Sequence, residues 1–270
     1  MDLGLAGKAC VVTGAGRGIG RATARMLCEA GGQVLLVART GDEVEAAAAE
    51  CGRAGAPSHG RAAHLALDVT DADAAERIVA EAEGRFGSID VIVNGAGQAT
   101  HRDLEDVPDE AWYEAWELNV MAPMRLMRRA VPAMAERGWG RVVNVSSSAG
   151  KRPSQAMGEY SVAKAAELSL SRLFADRWAD SGVLVNAICP GPVKSEMWMA
   201  PGGLLDQSVA LHGHADRDEG LEAAGSSRPI GRLGEVEEIA SVIAFLCSER
   251  ASYVAGSAWG VDGGTVRVII

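Results

Sequence analysis

The chain has 270 residues, 48% hydrophobic and 23% charged, with a formal net charge of −10; this is the composition of an ordinary globule that can bury a substantial core. The acidic balance excludes a nucleic-acid partner, which needs clustered Lys and Arg; the small basic group Arg125, Arg128 and Arg129 reads as a solvated helix face. No stretch approaches the roughly 18 apolar residues of a membrane helix, MDLGLAGKA lacks the marks of a signal peptide, and Cys10, Cys28, Cys51, Cys189 and Cys247 form no C-x-x-C pair, so a reduced, cytoplasmic protein without a membrane partner is expected.

In chain order, the apolar run Lys8 to Thr13 leads into TGAGRGIG at 13–20. A strand running through a glycine-rich turn into a helix aims backbone N–H groups and the positive helix end at a pyrophosphate. The G-x-G-x-x-G pattern fails, because Ile19 and Arg21 stand where its third glycine would be. What remains is Gly14 for the turn, Gly18 for close approach to phosphate, and Gly20 for tight packing of helix on strand. The second strand, Gln33 to Ala38, ends beside Arg39, and no acid precedes Asp42. An acid there would accept from the ribose hydroxyls of NAD. Arg39, with Arg17 in the glycine loop, is instead placed to grip a 2′-phosphate, which favours NADP(H) over NAD(H).

Further strands are expected at Ala63 to Leu67, Ile89 to Val93, Arg141 to Ser146, Val183 to Ile188 and Ser257 to Val261. Most are nearly continuous apolar runs followed by longer helical patterns. That alternation predicts an α/β fold, a parallel sheet with helices on both faces and right-handed crossovers. No repeat or linker divides the chain, so one domain over 1–270 is expected.

The pattern AWYEAWELNVMAPMRLMRRAVPAM reads as one helix containing Pro123. Proline has no N–H for the carbonyl four residues back, which is that of Asn119. A kink is expected there, with the Asn119 carbonyl free to hold a water that links Lys164 to solvent. Ser147, in NVSSSAG, falls just past the fifth strand, where a hydroxyl can reach a substrate carbonyl. In the helix EYSVAKAAELSLSRLFADRWA, Tyr160 and Lys164 are four apart and share one face. Tyrosine is a poor base at neutral pH, but an ammonium about one turn away favours the phenolate. Tyr160 is thereby fitted to exchange a proton with a carbonyl or alcohol oxygen.

Residues 194–228 mix MWMAPGGLL with HGHADRDEG and carry no strand character. They follow the sixth strand, and so lie over the carboxyl edge where ligands bind in open α/β sheets. A mobile lid lined by Met197, Trp198, Met199, Leu204 and Leu205 is expected, with a disordered surface insertion as the alternative. His212 and His214, with Asp216 and Asp218 nearby, raise a metal-dependent enzyme as a rival reading, but no third ligand has convincing spacing.

Together the motifs resemble the short-chain dehydrogenase/reductase family over essentially the whole length. They are TGAGRGIG, the acid of LDVT at Asp68, NGAG at 94–97, LNV around Asn119, the serine of NVSSSAG, YSVAK at 160–164, PGPVKS at 190–195 and VDGG at 261–264. The resemblance implies a Rossmann-like, doubly wound sheet of seven parallel strands in the order 3-2-1-4-5-6-7. It implies a catalytic tetrad of Asn119, Ser147, Tyr160 and Lys164, with Ser147 chosen over Ser146 and Ser148 by its spacing from Tyr160 and Gly150. Cofactor contacts are implied for Gly14, Arg17, Gly18, Ile19, Gly20 and Arg39 at the phosphate end. Asp68 and Val69 would bracket the adenine, and Asn94 and Ala96 would line the ribose side. Tyr160 and Lys164 would flank the nicotinamide ribose, and Pro190, Gly191, Val193 and Ser195 would hold the carboxamide. Gly95 stands where the family more often has asparagine, which weakens contacts at the sheet centre.

The implied activity is hydride exchange between a nicotinamide cofactor and a carbonyl or secondary alcohol. Within the family the chain most resembles the 3-oxoacyl thioester reductases and the related alcohol and polyol dehydrogenases, and the apolar lid suits an acyl or hydrophobic ketone better than a sugar. Acidic charge disfavours docking of an acyl carrier protein, although Lys151 and Arg152 form a local basic patch. Alternatives are an NAD(H)-dependent alcohol or polyol dehydrogenase and a non-catalytic NADP-sensing protein, which would usually lack part of the tetrad. The resemblance also implies subunit contacts through the region from about Glu235 onward, and a homotetramer or, failing that, a homodimer.

Overall fold

The computed structural model describes residues 2–267; residues 1 and 268–270, the ends of the expected single-domain span, lie outside the described residues. Strands β1 (Ala9–Thr13), β2 (Gln33–Ala38), β3 (Arg61–Ala66), β4 (Val91–Asn94), β5 (Gly140–Val145), β6 (Val183–Pro190) and β7 (Ala258–Val261) form one sheet, ordered β3-β2-β1-β4-β5-β6-β7. Every pairing is parallel, as the sequence resemblance implied. The order reverses between β1 and β4, which opens a crevice at their carboxyl ends.

Helices α1 (Gly18–Glu29), α2 (Gly41–Gly55), α3 (Ala74–Phe86), α4 (Asp109–Trp116), α5 (Ala122–Glu136), α6 (Ser148–Lys151), α7 (Gly158–Trp178), α8 (Glu196–Met199), α9 (Leu204–His212), α10 (Arg217–Ser226) and α11 (Val236–Leu246) complete the chain. Period-2 alternation splits each central strand between two cores. Cys10, Val12, Val34, Leu36, Val91 and Val93 pack under α1, α2 and α11. Val11, Leu35, Val37, Ile92 and Val142 pack under α3, α5 and α7. Strands buried on both faces are apolar at most positions, with hydrogen-bonded exceptions such as Asn94, Arg141, Asn144 and Asn186, which is why the central runs were legible.

Three expectations need correction. β3 begins at Arg61 rather than Ala63, because an edge strand exposes alternate side chains and tolerates Arg61 and His64. β6 runs on to Pro190, since Cys189 and Pro190 still pair with Gly260 and Val261 of β7. The single kinked helix is in fact α4, a π-helical turn over Glu117–Met121, and α5. The Ala122 N–H donates to the Glu117 carbonyl five residues back, so the interruption is a π-turn and not a proline kink alone. Pro123 sits in the first turn of α5, where a missing N–H is tolerated.

Candidate active site

The glycine loop joins β1 to α1 under close contacts. Gly14 has φ +67°, and a Cβ there would lie 2.6 Å from the Gly95 carbonyl oxygen. A Cβ on Gly20 would lie 2.3 Å from the Gly14 carbonyl oxygen, so helix and loop touch backbone to backbone. Gly18 also has a positive φ, +56°. Among the described residues no side chain caps α1 and its first turn holds no acid. Its leading N–H groups therefore remain open to an anion such as a pyrophosphate. Gly16, by contrast, takes an ordinary φ, with Ala38 Cβ the nearest atom at 3.3 Å. The departure at Gly95 has a positive use: a Cβ there would lie 2.8 Å from the Thr13 carbonyl oxygen, so its glycine lets the ends of β1 and β4 approach. Thr13 Oγ1 accepts from the Gly95 and Ala96 N–H groups at 3.1 and 3.3 Å.

A cleft of about 630 Å³ runs along the carboxyl edge of the sheet. Gly14, Arg17, Gly18, Ile19, Gly20 and Arg39 line one end, with Asp68, Val69 and Ala96 beside them. Arg39 is largely exposed, and its Nη1 lies 3.7 Å from Asp68 Oδ2. Burial works to raise the Asp68 carboxyl, but hydrogen bonds from the Thr70 N–H and Oγ1, then Arg39, hold it below the usual range. Glu43, in the first turn of α2, also lines this end. It left no trace in the sequence, because it lies on α2, beyond the strand end where an acid facing the ribose falls.

At the other end of the cleft stand Ser147, Tyr160 and Lys164, with Pro190, Gly191 and Val193 also in the lining; Ser195 lies by the glycine loop, 3.5 Å from where a Cβ on Gly18 would sit. Ser147 caps α6: its Oγ accepts the Ala149 N–H at 3.1 Å, which leaves its own O–H free to donate. Ser146 is committed elsewhere, its Oγ donating to the Lys164 carbonyl at 2.9 Å. Tyr160 is half-buried, and Lys164 Nζ lies 5.8 Å from its ring centroid. The ammonium is almost wholly buried and donates to the Val145 carbonyl at 2.7 Å and to Glu167 Oε2 at 2.9 Å. Burial opposes its charge, yet Glu167, then Tyr160, more than offset this and raise the Lys164 pKa. Glu167 went unnoticed in the sequence, although an acid three residues after Lys164 falls on the same inward face.

Asn119 is fully buried behind this wall. Its Nδ2 donates to the Ala115 carbonyl at 2.8 Å, while Oδ1 has no partner among the described residues and faces Gly97, beside Lys164 Nζ. The Asn94 side chain does not line the cleft. Its Nδ2 donates to Asn144 Oδ1 at 2.7 Å, because alternation at the strand end turns it into the sheet and away from the cleft.

The segment 194–228 is helical over most of its length and forms one wall of the cleft through Met197, Trp198, Leu204 and Gln207. Met199 faces the α1 side and Leu205 is 1% exposed, so neither belongs to the apolar lining expected of both. Arg217 bridges Asp206 and the Met199 carbonyl, Glu196 lies 3.7 Å from Arg21, and Gln207 Oε1 accepts the His101 N–H at 2.8 Å. Asp216 caps α10 through its carboxylate, and His212 Nδ1 is engaged with Ser208. Among the described residues no three His, Cys, Asp or Glu side chains converge as a metal site. The Lys151 ammonium donates to the Ala258 carbonyl at 2.7 Å.

A family model described as enoyl-(acyl carrier protein) reductase matches residues 14–266. Sorbitol dehydrogenase of Cereibacter sphaeroides is 33% identical over 261 residues, 96% of this chain and 98% of that protein. The 3-oxoacyl-(acyl-carrier-protein) reductase of Escherichia coli is 32% identical over 262 residues, 97% of this chain and 98% of that protein. Among solved structures, L-sorbose reductase from Gluconobacter frateurii complexed with NADPH and L-sorbose superposes with a TM-score of 0.91 at 33% identity, covering 100% of both chains.

Proposed function

Since the chain belongs to the short-chain dehydrogenase/reductase family of oxidoreductases that act on alcohols and ketones with NAD(P), we propose that it is an NADP(H)-dependent reductase of a polar ketone. The observation that carries this reading is the single cleft that has Arg17 and Arg39 at one end and Ser147, Tyr160 and Lys164 at the other. The glycine loop and the uncapped start of α1 fit a dinucleotide pyrophosphate, and the two arginines fit its 2′-phosphate. When bound, the cofactor supplies the hydride in reduction and accepts it in oxidation. The Ser147 hydroxyl donates to the substrate oxygen. Tyr160 gives that oxygen its proton in reduction and takes it in oxidation, while Lys164 steadies the charge that develops at the tyrosine oxygen.

Gln98, Thr100, Ser148 and Gln207 give the substrate end a polar wall, which suits a ketone bearing its own hydroxyls. The second reading, a 3-oxoacyl thioester or other hydrophobic ketone, is favoured by Met157, Met197, Trp198 and Leu204 on the same cleft. Initial rates of NADPH and NADH oxidation against keto-sugars, cyclic ketones and 3-oxoacyl thioesters separate the two. Keto-sugar turnover with NADPH is expected to dominate, and a preference for thioesters would reverse the order. Turnover of nothing in the panel would favour the NADP-sensing alternative.

Arg39→Ala tests the cofactor reading. Removing a charge-assisted contact of about 1.5–3 kcal/mol should raise the Kd for NADPH by about 10–100-fold. The Kd for NADH should hardly move. Equal losses for both cofactors would point to a damaged pocket and leave NAD(H) as the physiological partner.

Three further parts of the reading concern the whole protein. Residues 194–228 act as the substrate lid of a one-domain enzyme. The exposed Tyr113 and Trp116 on α4 and Val162 and Leu173 on α7 suit burial in a homotetramer or homodimer, which sedimentation would detect. Five buried free cysteines suit a reducing cytoplasm.

A further inference from the structure

Lys164 is 3% exposed and Glu167 is 2% exposed. An isolated ammonium at that depth would shed its proton to escape the low dielectric. Glu167 is the partner that prevents this: its carboxyl accepts from the ammonium and, once ionised, supplies a counter-charge. It sits one turn along α7, its Oε2 2.9 Å from Lys164 Nζ, while the Val145 carbonyl at the end of β5 takes a second donor of the same ammonium. The helix around Glu167 is fixed in turn: Ser171 Oγ donates to its carbonyl, and Asn144 Nδ2 donates to Ser171 Oγ, both at 2.7 Å.

We infer that Glu167 is a positioning residue for the reductase reaction, a buried carboxyl that aims the Lys164 ammonium and sets the pH at which the Tyr160–Lys164 pair gives up its first proton. This rests on the reductase reading above and goes beyond it, because the tetrad contains no acid. The other groups that face the pair are few. Lys164 and Tyr160 come from α7 itself. Cys189 comes from β6, with its thiol pushed up by burial to about 11, so it stays neutral over the working range. Asn94 and Asn144 on β4 and β5, and Asn119 in the π-turn, carry no charge. On its far side Glu167 borders a cavity of about 10 Å³, together with Thr13, Asn94, Leu118 and Pro123, which is at or below the room that one water needs. With little water to screen it, its charge is felt at the neighbouring ammonium at nearly full strength.

Burial pushes the Glu167 carboxyl up to about 7 against the pull of Lys164. As pH rises through that value the carboxyl becomes negative and strengthens the pair's hold on its remaining protons. The alkaline limb of ketone reduction, where the proton donor is lost, is thereby moved upward. Glu167→Gln keeps the shape and the acceptor oxygen but cannot take the charge.

The test is the pH profile of kcat/KM for reduction in wild type, Glu167→Gln and Glu167→Asp. The Gln variant should match wild type in shape below about pH 6 and lose activity about one pH unit earlier on the alkaline side. The Asp variant, which retains the charge, should keep the wild-type limb even if kcat falls. A Gln limb that superposes on wild type, or an Asp limb displaced like that of Gln, overturns the proposal. Should Glu167→Gln fail to fold, a carboxyl carbon-13 titration of the wild-type protein with bound NADPH, assigned by the Asp variant, decides it. The Glu167 carboxyl signal is expected to shift a second time on the alkaline side, as the neighbouring Tyr160–Lys164 pair gives up its first proton, and a signal that stays flat there overturns the proposal. That measurement needs no turnover, so a failed reductase assay and a failed role for Glu167 remain distinct results.

Discussion

Tyr160→Phe is expected to lower kcat for ketone reduction by about a thousand-fold or more, near the upper part of the range for loss of a general acid–base group. The substitution removes one oxygen from a half-buried ring and leaves the ring's packing in place. Lys164 does not depend on that oxygen for its position, because Val145 and Glu167 hold two of its three donors. The cofactor end of the cleft is built from the glycine loop, Arg39 and Asp68, none of which the change touches. NADPH affinity, read by fluorescence titration, should therefore stay within about threefold of wild type, a difference of well under 1 kcal/mol. Turnover within tenfold of wild type would remove Tyr160 from the chemistry.

The second large effect is structural. Gly14→Ala puts a side chain at φ +67° and 2.6–2.8 Å from the Gly95 carbonyl oxygen and the Ala96 Cα and N. The left-handed conformation costs about 1–2 kcal/mol for an L residue, and the overlap is with backbone that cannot rotate away. A loss of roughly 2–5 kcal/mol in urea unfolding is expected, together with weaker NADPH binding, since the loop that faces the phosphates must move. Gly16→Ala is the matched control. Its φ is ordinary and its nearest neighbour is a methyl at 3.3 Å, so a change under about 1 kcal/mol is expected. If Gly16→Ala proves the more damaging of the two, the G-x-x-x-G-x-G reading of the loop fails.

The sheet was legible because central parallel strands leave an unambiguous trace: Val11, Val12, Val34, Leu35 and Leu36 are all fully buried, and no polar position interrupts them. β3 left a weaker trace, since an edge strand shields only part of its surface. The glycine loop, Ser147, Tyr160 and Lys164 could be traced to one cleft from motif order alone. Motif order could not tell which way a strand-end side chain points, and Asn94 turned toward Asn144. Nor could it divide the lid, where assignment of Met199 and Leu205 required knowing the phase of two short helices. Glu167 was hidden for a related reason. A glutamate in a helical pattern is most often solvated, and nothing local distinguishes one that faces inward until the strand ends behind it are known.

The π-turn at Glu117–Met121 also bears on how this stretch of chain can vary. A turn closed over five residues holds one more than an α-helical turn, and each residue advances a helix by about 100°. The wider turn takes up the extra residue, so Tyr113 and Trp116 look outward before it while Leu126 and Met127 look inward after it. Deleting one residue of the five would let a regular helix form with both faces kept in place, because the turn absorbs just the residue that is removed. What such a deletion would change is local: the backbone around Asn119, whose side chain faces Gly97 beside Lys164. The extra residue therefore alters the wall of the site without altering how the two helices pack.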